Sequence, residues 1–299
     1  RTGKHSYSQS VMIKKIVESV PSLPMYAGEL ISLINDPTTD ARTIAAKVSE
    51  DPSVSAQVLK YVNSPYYGFQ QTISDLQHAV MLLGFNQIYQ LVLYHALRGT
   101  MPDTAEFREL QSHSIIISVL ASEIAAIVRP DLQALASTIG LLHNFGESVI
   151  KLLKMHYPKL KIIFHSLEQE ILGSMLLERW NLPQELCDSV SYQNCFRYAP
   201  AGFVHEPTRH GEGFLMIAHL VLDYIEKKES PDSYPLFISQ YMKENGLSEC
   251  TFEELVENHL IPRLIRKKKA LPAMVRTLLQ ERRQPAASDL SEYLGARAN

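Results

Sequence analysis

The sequence predicts an all-α protein, and three observations carry that prediction. Apolar residues recur three and four positions apart along most of the chain, the spacing that places them on one face of a helix. No stretch of useful length alternates apolar and polar residues as a half-buried strand does. Proline, glycine, Asn and Asp fall between the apolar stripes, where they stop or start helices.

Taken in order, residues 1–10 are polar and aperiodic and read as a flexible leader. Ile13, Ile16, Val17 and Val20 form a first stripe, ended by Pro21 and Pro24. Leu30, Ile31 and Ile34 make a second, stopped by Asn35-Asp36-Pro37. Thr43 to Ser49 is a short helix leading to Asp51-Pro52. Asp51 suits an N-cap, and Pro52 suits the first helical position, where a missing N–H costs nothing. Val54, Val58, Leu59 and Val62 continue that helix to a break at Asn63-Ser64-Pro65. After the aromatic turn Tyr66-Tyr67-Gly68-Phe69, helices at Ser74–Leu83 and Asn86–Leu97 flank Gly84.

Gly99, Pro102 and Asp103 mark a junction, so residues 11–105 form an N-terminal helical subdomain and 106–262 a second one. The second opens with a long helix, Phe107–Val128, followed by helices near 133–154, 168–180, 184–193, 213–228, 234–244 and 251–269. Phe196 to Gly213 holds two prolines and three glycines and reads as a long loop. Residues 263–299 are a basic C-terminal helix and tail. Trp180, between Leu176-Leu177 and Leu182-Pro183, is expected in the core.

Of the 299 residues, 45% are hydrophobic and 20% charged, ordinary values for a globular protein. The net charge of −3 gives the whole chain no pull toward nucleic acid. Charge is uneven, however: Arg263 to Arg283 carries eight Lys/Arg against Glu281, a local +7. Cys187, Cys195 and Cys250 are odd in number and lack zinc-ligand spacing, which fits reduced thiols in a cytoplasmic protein. The longest apolar run, Ile115 to Val128, is interrupted by Ser118, Ser122 and Glu123, so no membrane span is expected. The chain shows neither a GxSxG turn nor a glycine-rich phosphate loop.

Several strings then occur in a telling order: Pro21-Ser22-Leu23-Pro24, Asp51-Pro52-Ser53, Asn63-Ser64-Pro65-Tyr66-Tyr67-Gly68, Ala79-Val80-Met81-Leu82-Leu83-Gly84 and Trp180-Asn181-Leu182-Pro183. Together they resemble the HD-related output domain family, HDOD, from about residue 14 to about 228. The resemblance implies an all-helical bacterial signalling module, related to HD-type metal-dependent phosphohydrolases and usually non-catalytic.

The same resemblance singles out Leu141-Leu142-His143-Asn144-Phe145-Gly146-Glu147-Ser148. His143-Asn144 stands where an HD pair would be, with an amide in place of the carboxylate. An ionised Asp brings charge and can bridge two metals, whereas Asn offers one neutral carbonyl oxygen. His113 occupies the first His position, Gln169 and Tyr192-Gln193 align with positions that supply further ligands, and His219 replaces the closing Asp. His113, His143, Asn144, Gln169, Tyr192 and His219 therefore read as a vestigial HD site with no catalytic residue, no metal and no cofactor. Glu147, four residues past His143, is the one carboxylate with helical reach to it.

Two further features compete. Thr43–Asn63 has the outline of a helix-turn-helix with Gln57, Lys60 and Asn63 as base-reading candidates, but it lacks clustered Lys/Arg. Arg266-Lys267-Lys268-Lys269, interleaved with apolar residues, is the better anion or partner site. The expected function is a non-catalytic regulatory module that binds a signalling protein. By resemblance, that partner is a receiver, a histidine kinase or a cyclic-dinucleotide enzyme. The alternatives are a residual metal-dependent phosphohydrolase acting on a nucleotide or cyclic dinucleotide, and nucleic-acid binding through the basic C-terminal helix.

Overall fold

Asp40 opens the first helix of the computed structural model by accepting the Thr43 N–H at 2.8 Å, and α1 follows over Ala41–Ser49. The structure describes residues 38–63, 71–85, 101–180, 182–203, 208–226, 237–248, 250–267 and 273–281, with scattered positions among 18–36 and 87–95 and at 271. The leader, the first apolar stripe, the Pro21–Pro24 stop, the aromatic turn at 66–69 and Lys268 and Lys269 lie outside the described residues.

The next helix, α2 (Pro52–Val62), starts as its sequence predicts. Asp51 caps the Ser53 and Val54 N–H groups, and Pro52 takes the first helical position. α3 (Leu76–Leu83) is capped by Asp75 and ends at Gly84, whose φ of +76° is open to glycine at little cost. The Asn63 side chain, a base-reading candidate, is engaged within the fold. It donates to the Ile73 carbonyl and accepts from the Ile73 N–H, both at 2.7 Å, and so ties the end of α2 to the strandless segment before α3. Val48, Val54, Val58, Val62, Ala79 and Val80 are buried where α1, α2 and α3 pack together.

The second part is organised around α4 (Ala105–Val128), capped by Thr104. Ile117, Leu120, Ala121, Ile124 and Ala125 are fully buried against α5 (Gln133–Leu142) and α10 (Thr208–Ile225). Among the described residues α4 is the one helix long and apolar enough to cross a membrane by length and composition, which the sequence reading had not expected. Here it packs as the central core helix, and Glu123 on it binds two cations of the C-terminal segment.

Where one helix was expected over 133–154, the chain forms two. α5 stops at Leu142, His143 and Asn144 make a turn, and α6 runs over Phe145–His156. The cause is tertiary. Gly146, one residue into α6, abuts the Gln169 backbone so closely that a Cβ there would overlap its carbonyl oxygen. The His143 carbonyl at the break accepts the Gln193 side-chain amide at 3.0 Å.

α7 (Lys161–Phe164), α8 (Gln169–Arg179) and α9 (Gln184–Ser191) follow. Trp180 is buried at 5% exposure, with its ring centroid 4.7 Å from that of Phe145. The loop expected over 196–213 is shorter. Two 3₁₀ turns, Cys195–Arg197 and Ala201–Phe203, lie within it, and α10 starts at Thr208. Gly211 and Gly213 are helical and small because Ser189, Ile139 and the Asn245 amide press against them.

The chain closes with α11 (Ile238–Glu244), α12 (Phe252–Glu254), a π-helical stretch Leu255–Leu260, α13 (Ile261–Arg266) and α14 (Ala273–Glu281). Thr251 and Glu254 form a reciprocal capping box at the start of α12. The widened turn precedes Pro262, which has no N–H to offer the carbonyl four residues back. Every regular element among the described residues is helical.

Candidate metal centre

Three histidines from three helices meet in the core of the second part. His113 sits midway along α4, His143 at the end of α5 and His219 midway along α10. One ring nitrogen of each lies within 4.8 Å of the others. The ring centroids are 5.3 Å apart for His113–His143 and His113–His219, and 4.8 Å for His143–His219. The resemblance gave His219 only as the replacement of the closing Asp; packing of α4 on α10 sets its Nε2 3.3 Å from that of His113.

Backbone carbonyls orient two of the rings. His143 Nδ1 lies 2.8 Å from the Gly140 carbonyl, and His219 Nδ1 lies 2.8 Å from the Leu215 carbonyl. A carbonyl only accepts, so both Nδ1 atoms carry the proton and both Nε2 atoms keep a lone pair. His143 is buried, and its Nε2 finds no hydrogen-bond partner. Burial pushes the His143 pKa well below its usual value, with His219 and His113 adding repulsion and the Gly140 hydrogen bond opposing. Burial likewise takes His219 down to about 4, opposed by its Leu215 hydrogen bond and reinforced by His113 and Arg197. At neutral pH both rings are uncharged donors.

The other site candidates lie elsewhere or have other partners. Asn144 is half-buried and makes no capping hydrogen bond to α6. The Gln169 amide is 3.5 Å from Glu170, which also accepts from Asn194. The Tyr192 side chain is 45% exposed; its neighbour Gln193 is the buried residue that reaches the His143 backbone. Glu147 pairs with Lys151 at 3.3 Å and contributes nothing to the histidine cluster. In the basic stretch, Arg266 is exposed and Lys267 donates to Glu123 at 2.6 Å, so one of its cations is already held within the chain. Burial raises the Cys187 thiol to about 12, which removes it as a nucleophile at neutral pH.

Sequence reasoning missed a second buried polar group, Glu212 on α10. It is fully buried, accepts from the Tyr241 hydroxyl at 3.3 Å, and has an unpaired second oxygen. An acid inside the apolar run Phe214–Ala218 and its preceding turn was the available signal.

The cluster has the chemistry of a metal site: three imidazole rings, two of them neutral and held in one tautomer by the backbone, and one buried lone pair with no partner. Among the described residues it contains no carboxylate.

Residues 20–196 match the HDOD domain family, more than half of the chain. The chain belongs to the HDOD domain family. A provisionally named metal-dependent phosphohydrolase of Shewanella amazonensis SB2B superposes with a TM-score of 0.62 at 17% identity, covering 90% of this HDOD chain and 99% of that one. A provisionally named signal transduction protein of Marinobacter aquaeolei VT8 gives 0.63 at 20%, covering 91% and 65%. At such identities the likeness is one of fold. An uncharacterized protein of Treponema pallidum (strain Nichols) is 26% identical over 202 residues, 62% of this chain. The match spans 39% of that relative's own length. The all-helical HDOD expectation holds, and the relation to metal-dependent phosphohydrolases is one of structure.

Proposed function

We propose that this HDOD chain is a regulatory module of bacterial signal transduction that works by docking a partner protein, and that it does not hydrolyse phosphoesters. One observation carries the reading: among the described residues, the histidine cluster at the HD position includes no carboxylate. Hydrolysis at neutral pH by a metal pair needs anionic ligands that bridge the ions and offset their charge. Here Asn144 and His219 supply none, and the positive field of Arg197 adds to the imbalance. An ion held by His113, His143 and His219 would supply Lewis acidity at a single centre. The surrounding residues hold that centre rigid: Gly140 and Leu215 carbonyls orient the rings, and Gln193 pins the turn that carries His143.

Signal transduction is the name given to the Marinobacter neighbour, and phosphohydrolase the name given to the Shewanella one. The partner we favour is a receiver, a histidine kinase or a cyclic-dinucleotide enzyme, met in the cytoplasm. The test is an assay of the 299-residue chain on p-nitrophenyl phosphate and a cyclic dinucleotide with magnesium, manganese, iron and zinc. No turnover above the metal-only blank is expected. Turnover that disappears in His143→Gln would move the phosphohydrolase reading to first place.

A further inference from the structure

We propose that His113, His143 and His219 bind one divalent ion of borderline softness, zinc being the first choice, through their Nε2 atoms. The inference concerns the same buried cluster as the non-hydrolytic reading, but ion binding and turnover are measured separately, so either can fail without the other.

Four observations converge on it. The Gly140 and Leu215 carbonyls hold the protons of His143 and His219 on Nδ1 and leave both Nε2 lone pairs facing the cluster. This is the outer-shell arrangement that orients metal-binding imidazoles. His143 Nε2 is buried with no partner, which is costly unless something accepts its lone pair. The Nε2 atoms of His113 and His219 stand 3.3 Å apart. Tetrahedral zinc with nitrogen bonds of about 2.0–2.1 Å puts its donors roughly 3.3–3.4 Å apart, a spacing this pair already has while the three donors together lie within 4.8 Å. Finally, the donors are all imidazole, which suits zinc, copper or nickel and discriminates against magnesium, calcium and manganese.

Charge does not forbid the site, because three neutral imidazoles are a sufficient protein ligand set for zinc when the fourth position is left to solvent. His219 Nε2 keeps its lone pair, so the 3.3 Å contact needs a proton on His113 Nε2, and that proton must leave when the ion enters. It passes to water, to be taken up at His113 Nδ1 or released to the buffer, and no oxidant or reductant is involved. The ligand set is this chain's own: His219 stands where the HD resemblance places a carboxylate, and that replacement changes the class of metal accepted.

The full chain, stripped with chelator and dialysed, would be titrated with zinc, cobalt, magnesium and manganese chlorides. Calorimetry and the visible spectrum of cobalt supply readouts that do not involve activity. The expected result is about one equivalent of zinc, an intense tetrahedral cobalt band, and no saturable magnesium or manganese binding. His143→Gln and His219→Gln should each weaken zinc by about 100-fold or more, beyond the loss typical of an outer-shell change. His113→Gln and His219→Gln, at the two half-buried members, burden folding less than His143→Gln, and circular dichroism checks all three. Absence of zinc binding in the folded parent would overturn the proposal. So would binding that survives all three substitutions, since the ion would then sit elsewhere.

Discussion

Glu123 on α4 takes Arg263 Nε at 2.5 Å on one carboxylate oxygen and Lys267 Nζ at 2.6 Å on the other, across 140 and 144 residues of sequence. The acid is buried at 7% side-chain exposure, while the two cations keep 31% and 29%. The central helix of the second part and the basic end of the chain are thereby joined by one carboxylate. Removing it leaves two cations over a buried apolar surface.

Glu123→Ala should therefore destabilise the protein by about 2–4 kcal/mol, somewhat under the usual cost of breaking a buried pair because both cations can turn to water. Urea unfolding measures the loss, and limited proteolysis should show new cleavage near Ile261–Arg266. A loss within about 0.5 kcal/mol would mean that the pairing contributes no more than a surface change.

Trp180→Ala should cost about 3–5 kcal/mol, because it empties a core position beside Phe145. Thermal or urea unfolding decides it. A cost under about 1 kcal/mol would place the ring outside the core.

Gly146→Ala should destabilise by about 1–3 kcal/mol or more, although alanine is ordinarily the better helix former. The added methyl has to push α6 away from the Gln169 carbonyl on α8. Gly202→Ala, where a Cβ meets nothing within 4 Å, is the control and should be close to neutral.

Glu212 predicts a pH dependence of opposite sign to that of an ordinary salt-bridged acid. Burial raises its pKa from 4.5 to about 7, opposed by hydrogen bonds from the Phe196 N–H and the Tyr241 hydroxyl; Cys195 is the other titratable group beside it. Between these values the folded state holds a proton that the unfolded state has lost, so the group's contribution to stability falls as pH rises. Glu212→Gln keeps an acceptor for Tyr241 and removes the titration. It should gain stability over the parent by about 2–3 kcal/mol on going from pH 4.5 to pH 7.5, the scale set by about 1.4 kcal/mol per unit. Unfolding curves for both proteins across that range check the slope, and parallel curves would show that Glu212 is not protonated in the fold.

Local chemistry was legible residue by residue. Asp51-Pro52 starts α2, Gly84 ends α3, and the stripe Ile116, Leu120, Ile124 and Ile127 belongs to one long helix. What the sequence could not reveal was imposed from a distance. The break at His143–Asn144 answers a contact with Gln169, and Gly211 and Gly213 look like loop residues until Ser189 and Asn245 are seen pressing on them. The same holds for the site. Resemblance named His113, His143 and His219 separately, but only helix packing brings positions 106 residues apart to 3.3 Å. It also turns Lys267 from an apparent anion binder into the partner of Glu123.

Gly140 is packed so closely that a Cβ would stand 2.6 Å from the Ser118 Cα, and Gly146 is seated as tightly on α8. The spacing between the helices that carry His113 and His143 is thus a property of backbone meeting backbone, not of the imidazoles themselves. Frame and chemistry are separable in such an arrangement. Donors at positions 113, 143 and 219 could therefore be exchanged, carboxylate for imidazole or the reverse, while the helices that present them keep their spacing.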